Sequence, residues 1–209
     1  MIFTHEVRCD CGKALVSSAY GSGEWSSLRC EKCGSPGALI DPLSVSVIAE
    51  RLLYRSKQEL EKGDYTISIL VSAMAVEYFL TGLYQKKKGM EYYRTHKNLA
   101  TQQFKEAWSN DKALHGSFSD KCNKILNSLI GIGFDEYVVN QQQINFSNSP
   151  ATKPTDHVKS TLLDPRNRIA HRGYIDSTAD VAQLSLTTAA IVVDIFRRID
   201  SSVNWEAFG

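Results

Sequence analysis

The sequence predicts an all-α protein, a helical bundle with a small β-rich module in front of it. Three observations carry that prediction. Residues 5–40 are rich in Gly, Ser and Cys and hold only short apolar pieces such as Ala14–Leu15–Val16, which suit small strands and knuckles. Asp41–Pro42 then punctuates the chain. Beyond it apolar residues recur at helical spacing, and the pattern holds to the end. The division expected is 1–41 for the small module and 42–209 for the helical domain.

The first helix is expected over Leu43 to Glu61, with Val45, Ile48, Ala49, Leu52, Leu53 and Leu60 on its apolar face. Gly63 ends it, and Asp64 is a good N-cap for a second helix reaching about Lys87. That second helix is apolar round much of its girth, from Ile67 through Val71, Met74, Val76 and Phe79 to Leu83, so it is the central helix of the bundle or also faces a second subunit. Lys86, Lys87 and Lys88 read as its solvated end, favourable to the local dipole, with contact to RNA the alternative. Tyr92, Tyr93, Phe104 and Trp108 suggest one or two short helices within 88–115, and Asp120 to Leu129 another. Gly131 to Pro154 is polar and reads as a long loop. Helical spacing returns over Thr155 to Leu163, where Asp164–Pro165 stops or kinks the chain and starts a new turn that Gly173 terminates. The last long helix is expected from a cap near Ser177, with Asp180 in capping-box spacing, to about Asp200.

Composition narrows the functions. In 209 residues there are 24 basic and 23 acidic side chains, a formal net charge of +1. Non-specific grip on duplex DNA needs a large basic excess, because phosphate neutralisation supplies most of that affinity. Contact with nucleic acid therefore has to come from a local patch or from one made when subunits pair. The N-terminal residues MIFTHEVRCDCGK hold no apolar h-region, and the longest apolar run, Leu184 to Phe196, is interrupted by Asp194, so neither a signal peptide nor a membrane span is expected. That leaves the cytoplasm, where cysteines are more often metal ligands or core residues than disulfides.

Cys9-Asp-Cys11-Gly and Cys30-Glu-Lys-Cys33-Gly form two pairs with residues 12–29 between them. The Gly after each pair lets the chain turn so that both sulfurs face one centre. Four thiolates so spaced suit a tetrahedral zinc ion at about 2.3 Å per bond, a zinc ribbon in which all four positions are filled by protein and the metal is structural. The competing reading is two unrelated pairs of core cysteines; a redox role for Cys30 and Cys33 fits less well beside a second matched pair. Cys122 stands alone on an amphipathic segment and reads as a core residue.

The densest chemistry lies at Asp164-Pro165-Arg166-Asn167-Arg168-Ile169-Ala170-His171-Arg172-Gly173. Asn167 and His171 share a helix face, and Arg166, one position earlier, has a side chain long enough to swing toward the same place. Arginines supply permanent, bidentate charge for a phosphate, and histidine exchanges a proton near neutral pH. Arg168 and Arg172 are further candidates for holding an anionic substrate. The plainer alternative is that Arg166 and His171 only cap a helix end and make surface hydrogen bonds. Glu77, among Val76, Tyr78 and Phe79, is a carboxylate on a largely buried helix and needs a partner; Arg166 is one choice, a structural ion pair elsewhere the other. His5, His96, His115 and His157 show no ligand or triad spacing.

The segment Arg166-Asn167-Arg168-Ile169-Ala170-His171 resembles the signature of the HEPN superfamily (higher eukaryotes and prokaryotes nucleotide-binding), an Arg, a polar residue, three variable residues and a His, late in a helical chain and just before a long final helix. Ser72 to Leu80, with Glu77 embedded, is similar to the family's buried acidic helix. The likeness spans roughly residues 43–202, and only the six-residue motif is specific. It implies a HEPN-like helical bundle and a metal-independent endoribonuclease that works as a homodimer. Arg166, Asn167 and His171 would be catalytic, Glu77 would be a supporting acid, and no catalytic metal would be needed. Toxins and antiviral defence effectors are of this kind, so RNA and an antitoxin or defence-complex partner join the expectations. A non-catalytic HEPN dimer that binds RNA or scaffolds a larger complex is the first alternative. A zinc-ribbon adaptor whose helices serve only oligomerisation is the second.

Overall fold

The computed structural model describes residues 3–8, 14–19, 42–96, 111, 114–141, 153–172 and 177–208. The first two of these stretches form β1 (Phe3–Arg8) and β2 (Ala14–Ala19), antiparallel, with Phe3 opposite Ala19 and Arg8 opposite Ala14. Cys9, Cys11, Cys30 and Cys33 lie outside the described residues, and so does the rest of the expected ribbon.

From Pro42 on, every described element is helical, as the apolar spacing predicts. Helix α1 (Pro42–Glu61) and helix α2 (Tyr65–His96) form an antiparallel pair. The turn between them has Gly63 in the left-handed region, φ +83°, where only glycine avoids a Cβ clash. Asp64 caps α2 as expected, its carboxylate accepting from the Ile67 N–H at 3.1 Å. Three serines seal the crossing of the two helices. Ser56 Oγ donates to the Ser68 carbonyl at 2.9 Å and lies 2.7 Å from Ser72 Oγ, all three side chains fully buried. Small hydroxyls here let the backbones approach while each satisfies another's polar atom.

Helix α2 does not end at Lys87 but continues to His96, and no short helices separate out of 88–96. The three lysines are not a solvated end, because each has a partner. Lys86 Nζ donates to Asp200 at 2.7 Å and stands 3.7 Å above the Trp205 ring. Lys87 reaches Glu91, and Lys88 lies within ion-pair distance of both Glu91 and Asp111. Neutralised in this way, Lys86 and Lys87 sit buried at 8 % and 9 % exposure. Residues 97–110, with Phe104 and Trp108, lie outside the described ones.

Helix α3 (Phe118–Ile130) opens on a capping box, Ser117 accepting from the Asp120 N–H while the Asp120 carboxylate accepts from the Ser117 N–H. The polar stretch after Gly131 is not all loop. Phe134–Asn140 forms helix α4, because Phe134 and Val138 are four apart and both bury into the core. Gly133 starts α4, and a Cβ there would meet Asn123 Oδ1 at 2.8 Å, the atom that accepts the Phe134 N–H.

Of the two outcomes expected at Asp164–Pro165, a stop or a kink, the stop does not occur. Helix α5 (Pro154–Val158) runs through a π-helical turn (Lys159–Leu163) straight into α6 (Asp164–Arg172). Proline removes the N–H that an α-helix would place against the Thr161 carbonyl and crowds that carbonyl with its ring. The π turn widens the helix at this point. The Thr161 carbonyl then accepts from Ser185 Oγ at 2.7 Å, and Ser185 is fully buried on the last helix. The missing bond is supplied from outside the helix, so the helix goes on.

The last helix, α7 (Ala179–Ser202), is capped by Thr178, not Ser177: Thr178 Oγ1 accepts from the Val181 N–H, while Ser177 Oγ lies 3.0 Å from Thr66 Oγ1. A final 3₁₀ turn (Trp205–Ala207) folds back over Lys86. The core gathers round Phe196 of α7, whose ring centre is 6.0 Å from Phe79 of α2 and 5.9 Å from Phe134 of α4. Cys122 belongs to this core, fully buried, and burial pushes its thiol well above the usual range with Asp135 adding to the effect. By length and composition Tyr65–Glu91 and Ala179–Ser202 are each apolar enough to cross a bilayer; here they pack against each other as the centre of the bundle.

Candidate functional site

The site is built where α6 crosses α2. Helix α6 carries Arg166, Asn167, Arg168, His171 and Arg172 in two and a half turns; α2 supplies Glu77. Arg166 Nη2 donates to Glu77 Oε2 at 3.1 Å and Nη1 to Asn167 Oδ1 at 2.9 Å. The guanidinium is thus fixed by two acceptors from two elements; Glu77 is paired with Arg166, although its side chain is too exposed for burial to demand a partner. The side chains are 31 % and 40 % exposed, so water screens the pair and its contribution to stability is under about 1 kcal/mol. Its effect is to set a direction for the arginine.

Two grooves flank α6. The first, of about 290 Å³, lies between α2, the start of α3 and α6. Glu77 and Thr81 form one wall, Ser117 and Lys121 another, and Arg166 with Asn167 the third; Phe118, Leu80 and Leu163 supply its apolar surface. The second is wider and shallower, about 500 Å³, and is lined by one face of the continuous helix: Ser160, Asp164, Asn167, Arg168 and His171. Asn167 belongs to both.

Arg166 and His171 therefore do not meet within one chain. Five helical positions put them about 140° apart round the axis, whereas Asn167 and His171 are about 40° apart. Arg166 is held toward Glu77 and does not swing to the histidine's face. His171, Arg168 and Asn167 are at the surface, and nothing is described of the Arg172 side chain. Of the other histidines, His115 is exposed and His157 is half-buried, with burial lowering its pKa. Among the described residues no group of three or more His, Cys, Asp or Glu stands together as a metal site.

Nothing in the sequence singles out Lys121, Ser117 and Phe118. They lie far from the motif along the chain, on a helix whose apolar spacing marks only its buried side. Only the packing of α3 against α2 brings them opposite Arg166.

No family model matches the chain, and no curated protein or solved structure matches it.

Proposed function

We propose that this chain is a metal-independent endoribonuclease of the HEPN type, acting as a homodimer. The observation that carries the reading is the guanidinium of Arg166, locked by Glu77 and Asn167 beside a groove and followed, five residues on, by His171 at the surface. A fixed, permanent cation aimed at the charge developing on a phosphorane is the strongest single aid such a reaction can receive. A neighbouring imidazole moves the proton.

In the reaction His171 draws the proton from a ribose 2′-OH. The freed oxygen attacks the adjacent phosphorus, the P–O5′ bond breaks, and the departing 5′ oxygen takes up a proton. The products are a 2′,3′-cyclic phosphate and a 5′-OH end. Arg166 neutralises the phosphorane, Asn167 orients His171 or a phosphate oxygen, and Arg168 and Arg172 hold flanking phosphates.

Because Arg166 and His171 line separate grooves in one chain, a second copy is required to complete the site. Ile67, Met74 and Tyr78 support such pairing: they stand at i, i+7 and i+11 on α2 and are 38 %, 52 % and 42 % exposed, an apolar stripe beside Glu77. Cys9, Cys11, Cys30 and Cys33 suit a structural zinc in the N-terminal module by the chemistry of four thiolates alone. A cytoplasmic toxin or antiviral defence effector, checked by an antitoxin or defence-complex partner, is the setting that agrees with this chemistry.

The test is cleavage of end-labelled RNA in buffer free of magnesium and manganese, with wild type beside identically prepared His171→Ala. Cleavage leaving cyclic phosphate ends, lost in the variant by about 10²-fold or more, supports the reading; equal cleavage by both sinks it. The separation of Arg166 from His171 favours one other reading, a non-catalytic HEPN dimer that binds RNA as a scaffold. Its signature is binding without cleavage by either protein.

A further inference from the structure

Resting on that reading, we infer that the groove between α3 and α6 seats the RNA nucleotide beside the scissile phosphate, with Lys121 holding a backbone phosphate and Phe118 carrying the base. Of the groove's two cations, Arg166 is committed to Glu77 and Asn167. Lys121 has no ion-pair partner among the described residues and stands on the opposite wall. Glu77 is neutralised by Arg166, so the groove's surplus charge belongs to Lys121.

Shape and surface agree with a nucleotide. At about 290 Å³ the groove lies just under the roughly 300–1,000 Å³ found for small-ligand sites, a size for a single nucleotide and not for a folded helix of RNA. Phe118 packs partly on the core and shows its remaining surface to the groove, beside Leu80 and Leu163. An aromatic face next to a cation is the pairing that single-stranded nucleic acid uses, base on ring and phosphate on ammonium. Thr81 and Asn167 add a hydroxyl and an amide at the rim for the sugar and base edge.

The test uses the full-length protein and a fluorescein-labelled single-stranded RNA made uncleavable by 2′-O-methylation. Anisotropy is followed across a salt series for wild type, Lys121→Gln, Lys121→Arg and Phe118→Leu, with cleavage of the unmodified RNA measured alongside. Lys121→Gln is expected to weaken binding about fivefold and to flatten the log–log salt slope by about 0.7, one phosphate contact on a single strand. Lys121→Arg restores both, and Phe118→Leu weakens binding without changing the slope. If wild type cleaves RNA while Lys121→Gln keeps its affinity and slope, the groove assignment falls and the nuclease reading stands. If wild type neither binds nor cleaves, both fall. A loss in Lys121→Gln that Lys121→Arg does not restore also overturns the phosphate contact.

Discussion

At the scale of single residues, the most informative contact is the one between Glu77 and Arg166. Its two side chains are too exposed to matter much for folding, yet the bond fixes which way the guanidinium faces. Glu77→Ala is therefore expected to shift the unfolding midpoint only slightly, by under about 1 kcal/mol. RNA cleavage should fall by roughly tenfold or more as the arginine loses its direction. A parallel collapse of stability would show that the carboxylate serves the fold instead. The pairing was legible from residue types, an acid on an apolar helix and a cluster of arginines, but its reason was not, since Glu77 lies too near the surface for burial to force it. What could not be read was direction. Arg166 and His171 look adjacent on paper, but helical phase separates them and the bond to Glu77 keeps them apart. Lys121 was invisible for a related reason, since nothing in its own neighbourhood marks the wall it will face.

Among the elements, α1, α2, α3 and α7 fall within a few residues of where periodicity puts them, apart from the far end of α2. Gly63, Asp64 and Gly131 act locally, through turn and cap geometry that the chain itself encodes. The misreadings arise where a partner outside the local pattern decides the outcome. Lys86 to Lys88 stay in the middle of α2 because Asp200, Glu91 and Asp111 neutralise them. The chain passes Pro165 without breaking because Ser185 supplies the bond that proline cannot. That relation is testable as a cycle. Ser185→Ala removes the donor to a part-buried carbonyl and is expected to cost about 1 kcal/mol in urea unfolding. Pro165→Ala provides an N–H for the same carbonyl, so the double variant should lose less than Ser185→Ala alone. Strict additivity of the two changes would disprove the compensation.

For the molecule as a whole, the helical body has its own aromatic core round Phe196. The N-terminal module, residues 1–41, is too short to bury much of a core and carries four cysteines. If those hold zinc, removing it with a strong chelator should unfold residues 1–41 and leave the helical ellipticity nearly unchanged. The readouts are zinc content by mass and amide exchange resolved by segment. One zinc per chain and exchange confined to the module are expected; metal-free protein with full protection there would refute the assignment.

The π turn before α6 amounts to an extra residue wound into an otherwise regular helix: its longer-range bonds take that residue up within one wider turn, and everything after it stays nearly in phase. Were residues 159–163 wound as ordinary α-helix with none removed, α6 would turn by roughly the 100° that one residue contributes and carry Arg166 away from Glu77. The aim of the site is thus held by an irregularity, and a variant that smoothed it without shortening the chain could be well folded and still functionally blind.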